Sequence, residues 1–415
     1  MITWKIEYMR KFGMLLLFAV LFSSCAKSKA PILSEGIWLA ELAVLDHEIL
    51  PFNFELKKNN AGQLFIEIFN AEEVISIEEV SINRDSILIK TPVFEGYIAG
   101  KFTETSIHGE FIKESLDRIV PFKATFGKKE RFRAEYKPQI NISGIWETEF
   151  SPNTEKSYLA KGIFTQNENK VTGTFRTTTG DYRYLDGIMD GDKMKVSAFD
   201  GAHAFLFTAK VTDTSLIGTF YSGNHFKEPF IAKRNEGFEL PDADSLTFLN
   251  PGYEKLAFSF PNSNGTIVSL DDPQFKDKAV IVQIMGTWCP NCLDETKFFV
   301  NYLSDNSNLD VEVVALAFEY AKTKEKAYKG INRLKSAIGV DYPILLAQIG
   351  TSNKSKAQEK LPMLNHVLSY PTTIFIDKKG KVRKIHTGFN GPATGDRYEV
   401  FKEEFDEFVK LLASE

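Results

Sequence analysis

Over roughly the first 240 positions, apolar and polar residues alternate in short stretches, and after that the period changes. Gln63 to Phe69, Ser86 to Lys90, Lys170 to Phe175 and Lys193 to Phe199 alternate residue by residue between Gly, Asn and Asp turns, the period of half-buried strands. This pattern predicts antiparallel β meander. From about Tyr253 the apolar runs lengthen, at Ala279 to Met285, Val311 to Phe318, Ile344 to Ala347, Thr372 to Ile376 and Lys381 to His386, after a hairpin through Asn264-Gly265. Three stripes at helical spacing accompany them: Phe298, Phe299, Tyr302 and Leu303; Tyr328, Ile331, Leu334 and Ile338; and Phe401, Phe405, Phe408 and Leu412. Strands alternating with helices, ending in a hairpin through Asp377 to Gly380 and a last helix, predict an α/β domain around a mixed sheet.

The β region repeats itself. Gly36-Ile37-Trp38 recurs as Gly144-Ile145-Trp146, Thr105, Ser106, Gly109 and Phe111 match Thr214, Ser215, Gly218 and Phe220, and Pro121-Phe122 matches Pro229-Phe230, all at an offset of 108 or 109. Two all-β repeats are therefore expected, at 34–133 and 142–236, followed by a polar linker at 237–252 carrying Pro241, Asp242, Asp244, Pro251 and Gly252, and by the α/β domain at 253–415. A Gly-x-Trp opening followed by up-and-down strands resembles a lipocalin-type or avidin-type barrel, with a sandwich as the alternative. Trp38 and Trp146 read as core anchors, and small barrels are usually filled by their own side chains. His47, His108, His203 and His225 lack ligand spacing, so no metal is expected.

Composition narrows the function classes. The 415 residues carry 50 Lys+Arg against 55 Asp+Glu, a net charge of −5 with no basic stripe, which argues against nucleic-acid binding. Three cysteines are too few for a disulfide-stapled scaffold. The first belongs to the N-terminus, where Arg10-Lys11, an apolar run from Met14 to Phe22 and Ser23-Ser24-Cys25 follow the order of a secretory signal. The cysteine at the cleavage point resembles the lipobox of bacterial lipoproteins, although Phe22 departs from its usual small aliphatic residue. That resemblance implies removal of residues 1–24, acylation of Cys25 and a tether at 25–33. Ala26 and Lys27 stand where an inner-membrane retention Asp would follow, which points to the outer membrane, facing the periplasm.

The other two thiols sit in Gly286-Thr287-Trp288-Cys289-Pro290-Asn291-Cys292, after a buried strand and at the opening of a helix. There, unpaired backbone N–H groups and the positive end of the helix dipole favour a thiolate. Two intervening residues keep the second thiol within one helical turn, so Cys289 is expected to be the exposed attacker and Cys292 the buried resolver. Zinc would need four ligands, and c-type haem a His where Leu293 stands. Among carboxylates, Glu295 follows Cys292 by three residues on the same helix face, beside Phe299, whereas His386 and Glu319 read as structural.

The Trp-Cys-Pro-Asn-Cys motif, together with Tyr370-Pro371-Thr372 leading into a strand and hairpin, resembles the TlpA/ResA-like thiol-disulfide oxidoreductases of the thioredoxin superfamily, over about residues 253–415. The resemblance implies a cis Pro371 packed against Cys289 and Cys292, and substrate contacts by Trp288, Pro290, Asn291 and Tyr370. It also implies a proton-handling role for Glu295, because Gln283 stands where thioredoxins carry a buried Asp. The implied activity is exchange of disulfides with extracytoplasmic proteins, as a reductase fed by a membrane electron donor, with no cofactor beyond the Cys289–Cys292 pair. The alternatives are a ligand-binding β-barrel lipoprotein with an accessory redox domain, and a peroxiredoxin-like antioxidant, whose Thr position is Gly286 here.

Overall fold

The computed structural model describes residues 31–415, so the signal segment 1–24 and Cys25 lie outside the described residues. Both β repeats form barrel-like antiparallel sheets of nine strands in which sequence neighbours pair and the first strand returns to pair with the last. In the first repeat Gly36–Ala43 pairs with Ile49–Lys58 and Arg118–Phe126, and the ladder is interrupted between Glu73–Ile77 and Val80–Asn83. In the second, Tyr158–Asn167 pairs with both Gly144–Phe150 and Lys170–Thr177, Gly144–Phe150 pairs with Phe226–Arg234, and Lys170–Thr177 pairs on with Leu185–Asp190, so the circuit closes. The sandwich alternative fails there because no edge is left to split the sheet.

The duplication persists in atomic detail. Gly36 and Gly144 have φ of 122° and 117°, which a side chain would disfavour. Two residues on, the Trp38 indole donates to the Ser34 carbonyl at 3.0 Å and the Trp146 indole to the Ile142 carbonyl at 2.8 Å. Both rings are fully buried, so each needs this partner for its N–H. The second barrel is filled by aromatic rings, with Phe150, Phe175, Phe207 and Phe230 fully buried and the Phe175 and Phe207 centroids 4.9 Å apart.

The C-terminal domain holds a five-stranded sheet with Ala279–Met285 at its centre. That strand runs parallel to Val311–Phe318, which continues to Ile344–Gln348, and antiparallel to Thr372–Ile376, which continues to Val382–Thr387. Every residue of the central strand is buried. The helices Pro290–Asp305 and Asp396–Ser414 meet through Phe298 and Tyr302 against Phe401 and Phe405. The hairpin Ser259–Pro261 with Ile267–Ser269 forms around Gly265 as the pattern predicts. The short helix Lys354–Gln358 has no apolar stripe and is not foreseen.

The polar segment 237–252 is docked from Asp244 onward: Asn250 N–H donates to the Met363 carbonyl at 2.8 Å, the Thr387 hydroxyl to Thr247 at 2.8 Å, and Asp244 lies 2.6 Å from His386 Nδ1. Turn residues that look like a spacer in one dimension here satisfy buried groups of the next domain. The buried Arg183 of the second barrel joins all three parts, meeting Glu73 of the first at 2.5 Å, Asp200 of its own at 3.6 Å, and Asp294 of the helix Pro290–Asp305.

Candidate active site

The central strand ends at Met285, and the chain turns through Gly286-Thr287-Trp288 before the helix begins. Gly286 is required because a Cβ there would meet the Trp288 indole at 2.3 Å. The indole donates to the Phe318 carbonyl at 2.9 Å and stands edge-on to Tyr370, with centroids 5.5 Å apart. Glu319 fixes the same turn from below, accepting from both the Thr287 N–H and hydroxyl at 2.8 Å. Burial pushes the Glu319 carboxyl up to about 7, against the lowering effect of those two donors.

Cys289 is the N-cap of the helix and Pro290 its first residue, where a missing N–H costs nothing. The Cys289 Sγ accepts from the Cys292 N–H at 3.2 Å and lies 3.4 Å from the Tyr370 carbonyl, beside a cis Tyr370–Pro371 peptide. Both cysteines are free thiols. Cys292 is fully buried, and burial with Cys289 beside it pushes its thiol well up. Cys289 is only 7 % exposed, so the attacker is more enclosed than expected. Tyr370 covers it on one side, and its neighbour Asn291 is engaged by the second barrel.

Glu295 lies at the bottom of the site with no exposure. Its carboxylate accepts from the Thr373 hydroxyl at 2.6 Å and from the Gln283 amide at 2.8 Å, and that same amide lies 3.4 Å from the Cys292 carbonyl. Burial pushes the Glu295 carboxyl up to about 7, again opposed by its two donors. Desolvation alone accounts for the rise, and Glu295 in turn adds to the rise at Cys292.

A Redoxin family model matches residues 250–400. Thioredoxin-like protein YneN of Bacillus subtilis is 28% identical over 140 residues, 34% of this chain and 73% of that protein. The thiol-disulfide oxidoreductase ResA of Bacillus subtilis is 26% identical over 140 residues, 34% of this chain and 69% of its own. The C-terminal domain is thioredoxin-like, of the TlpA/ResA-like kind. The enzyme is a thiol-disulfide oxidoreductase. Among solved structures, the thioredoxin domain of a thiol-disulfide oxidoreductase from Bacteroides vulgatus aligns over 38% of this chain and 99% of its own, with 19% identity and a TM-score of 0.28.

Around this thioredoxin-like domain the second barrel contributes a segment that the sequence did not single out, Thr177 to Arg183. The Asn291 amide lies 3.4 Å from the Asp181 carbonyl, Ser369 donates to the Thr179 carbonyl at 2.9 Å, and the Gly391 N–H to the Asp181 carboxylate at 2.7 Å. A Cβ on Gly180 would strike Asn291 at 1.9 Å. Asn291, assigned above to substrate, is thus held by the chain itself, and Pro290 is buried. The signals that were available are polar residues in otherwise apolar strands: Gln283 in Ala279–Met285 and Thr373 ahead of Ile374-Phe375-Ile376.

Proposed function

We propose that the chain is a lipid-anchored, extracytoplasmic disulfide reductase acting on protein disulfides through Cys289 and Cys292, without a further cofactor. The Cys289 thiolate attacks a partner disulfide, forming a mixed disulfide and releasing one partner thiolate. The Cys292 thiolate then attacks the Cys289 sulfur, closing Cys289–Cys292 and releasing the second partner thiolate. Two electrons pass from the pair to the partner, whose thiolates take up the two protons. A membrane electron donor reopens the pair. Trp288 and Tyr370 contact the partner, Pro371 shapes the backbone beside Cys289, and Glu295 takes the proton of Cys292.

The observation that carries the redox reading is the placement of Cys289 at the helix N-cap, its sulfur accepting from the Cys292 N–H at 3.2 Å beside the cis Tyr370–Pro371 peptide, with Cys292 fully buried behind it. The ligand-binding alternative loses ground to the aromatic filling of the second barrel.

Insulin reduction with dithiothreitol as electron source tests the redox reading. Cys289→Ser should lose both turnover and trapped partners, and Cys292→Ser should lose turnover while accumulating mixed disulfides. The reverse pattern would exchange the roles of the two thiols, and full turnover by either variant would end the reading. The anchor is read separately: the chain with its own N-terminus should sediment with membranes, Cys25→Ser should release it, and unchanged partition refutes the acylation.

A further inference from the structure

Two clefts of opposite character flank the start of the Cys289–Cys292 helix. The first, of about 620 Å³, ends on Trp288, the residue before the attacking cysteine, and its remaining walls come largely from the two barrels. Among its lining residues are two cations, Lys113 and Arg118, and the rings of Phe205, Phe220 and Phe226, and no Asp or Glu. The second, of about 820 Å³, reaches Pro290 and carries the carboxylates Glu73, Asp200, Asp294, Asp305 and Asp406 together with the cations Arg183, Lys297 and Lys402. Between them the Thr177–Arg183 segment closes the Asn291 side. The side of the site left for a partner is therefore the one that Trp288 faces.

The first cleft has groups without internal satisfaction. Arg118 is half-buried, and burial lowers its pKa with only the Tyr320 hydroxyl acting against that; no carboxylate offsets it. Lys113 is better met: it donates to the Ala202 carbonyl at 3.0 Å, and burial pushes it down to about 8 against the opposing charges of Asp200 and Glu95, which leaves it mostly charged at neutral pH. Phe226 is 45 % exposed at the rim although it stands edge-on to the buried Phe220. A guanidinium partly desolvated without a counter-ion, next to an exposed ring, is complementary to a carboxylate next to an apolar side chain.

We propose that the Trp288 cleft docks the disulfide-bearing segment of the partner protein and selects segments that carry a carboxylate and an aromatic or large aliphatic side chain beside the reacting cysteine. The two barrels are then the specificity element of the enzyme. An acidic segment is favoured in this cleft, which carries cations and no carboxylate, over the one beside Pro290, where Arg183 is already met by Glu73, Asp200 and Asp294. This inference rests on the redox reading above, and its test separates the two.

Two peptides, each with one internal disulfide and a Phe beside one cysteine, differ only in carrying Glu or Lys next to that Phe. With dithiothreitol as electron source, the full chain should reduce the Glu peptide with a kcat/KM about tenfold higher, the difference residing in KM, because a partly desolvated charge pair is worth at least that ratio. Arg118→Gln should bring the ratio near one, and Arg118→Glu should invert it. Equal kcat/KM for the two peptides with the unaltered chain, or an unchanged ratio in both variants, overturns the inference. Calorimetric binding of the same peptides with serines in place of cysteines makes the comparison without turnover, and equal affinities there also overturn it. Reduction of hydroxyethyl disulfide by the unaltered chain reads the redox site alone; its failure counts against the redox reading, and the binding comparison still decides the cleft.

Discussion

The second barrel and the thioredoxin-like domain solve the same packing problem with opposite treatment of polar groups. In the barrel, Phe150, Phe175, Phe207 and Phe230 fill the interior, and the buried charges Asp181, Arg183 and Asp200 lie where it meets its neighbours, while the buried Glu228 accepts from Ser151 and Tyr158 of the barrel itself. In the thioredoxin-like domain the polar groups are inside: Gln283 on the central strand, Thr373 on the next, Glu295 and Thr296 on the helix, all at most 2 % exposed. A buried carboxylate costs several kcal/mol unless donors meet it. Each of the two buried Glu side chains here has two donors and still titrates near neutrality. An aromatic interior gives stability that is indifferent to protons, whereas a core built around carboxylates gives up some stability to hold groups that can exchange them.

That contrast can be broken with one truncation and one titration. Phe150→Ala in the closed barrel should cost about 3–5 kcal/mol, the usual range for deleting a buried ring, and the loss should be the same at pH 5 and pH 8. The thioredoxin-like domain should behave otherwise. The folded-state pKa of Glu295 and of Glu319 is raised to about 7, so between about 4.5 and 7 the native state holds protons that the unfolded chain releases. Stability from these groups is therefore fully present below about pH 4.5 and is lost as pH rises through 7, by on the order of 3 kcal/mol for each group. Glu319→Gln, which cannot ionise, should flatten its share of that slope. Scanning calorimetry of both variants across this range checks the pair, and a pH-independent transition for the thioredoxin-like domain would place both carboxyls near their ordinary values.

Much of this was legible in the chain because period and chemistry coincide there. The duplication stood out through Gly36-Ile37-Trp38 and Gly144-Ile145-Trp146, residues whose backbone conformation and indole bond the fold cannot do without. Cys289, Cys292 and Pro371 were readable because a helix start and an X-Pro bond leave local marks. What escaped is long-range. Nothing near Arg183 or Asp181 announces a partner more than 100 residues away. The first barrel opens between Ile77 and Val80 while the second closes, although their sequences share a register, because in the second Lys170–Gly173 pairs directly with Leu185–Ile188, whereas in the first Glu73–Ile77 lies between the corresponding strands and does not pair with Val80–Asn83. Glu319 read as structural, and its place under Thr287 agrees with that.

The smallest effect sharpens the comparison most, because it asks whether the buried carboxylate of the thioredoxin-like domain is used. Cys292 has no exposure, so the proton it must lose before attacking Cys289 needs an acceptor inside the protein. Glu295 is the carboxylate on the same helix, and Gln283 links the two residues by facing both the Glu295 carboxylate and the Cys292 carbonyl. With a pKa raised to about 7 by burial, Glu295 is balanced between holding and accepting a proton near neutral pH, the condition under which a general base is most effective. Glu295→Gln keeps the shape and an oxygen to accept from Gln283, and removes the group that can take a proton. Insulin reduction should slow by about tenfold or more near neutrality, and the rise in rate through pH 7 seen with the unaltered chain should disappear. A structural role alone would lower the rate evenly at all pH values, and superimposable pH profiles with equal rates would leave Glu295 as a carboxylate that the core merely tolerates.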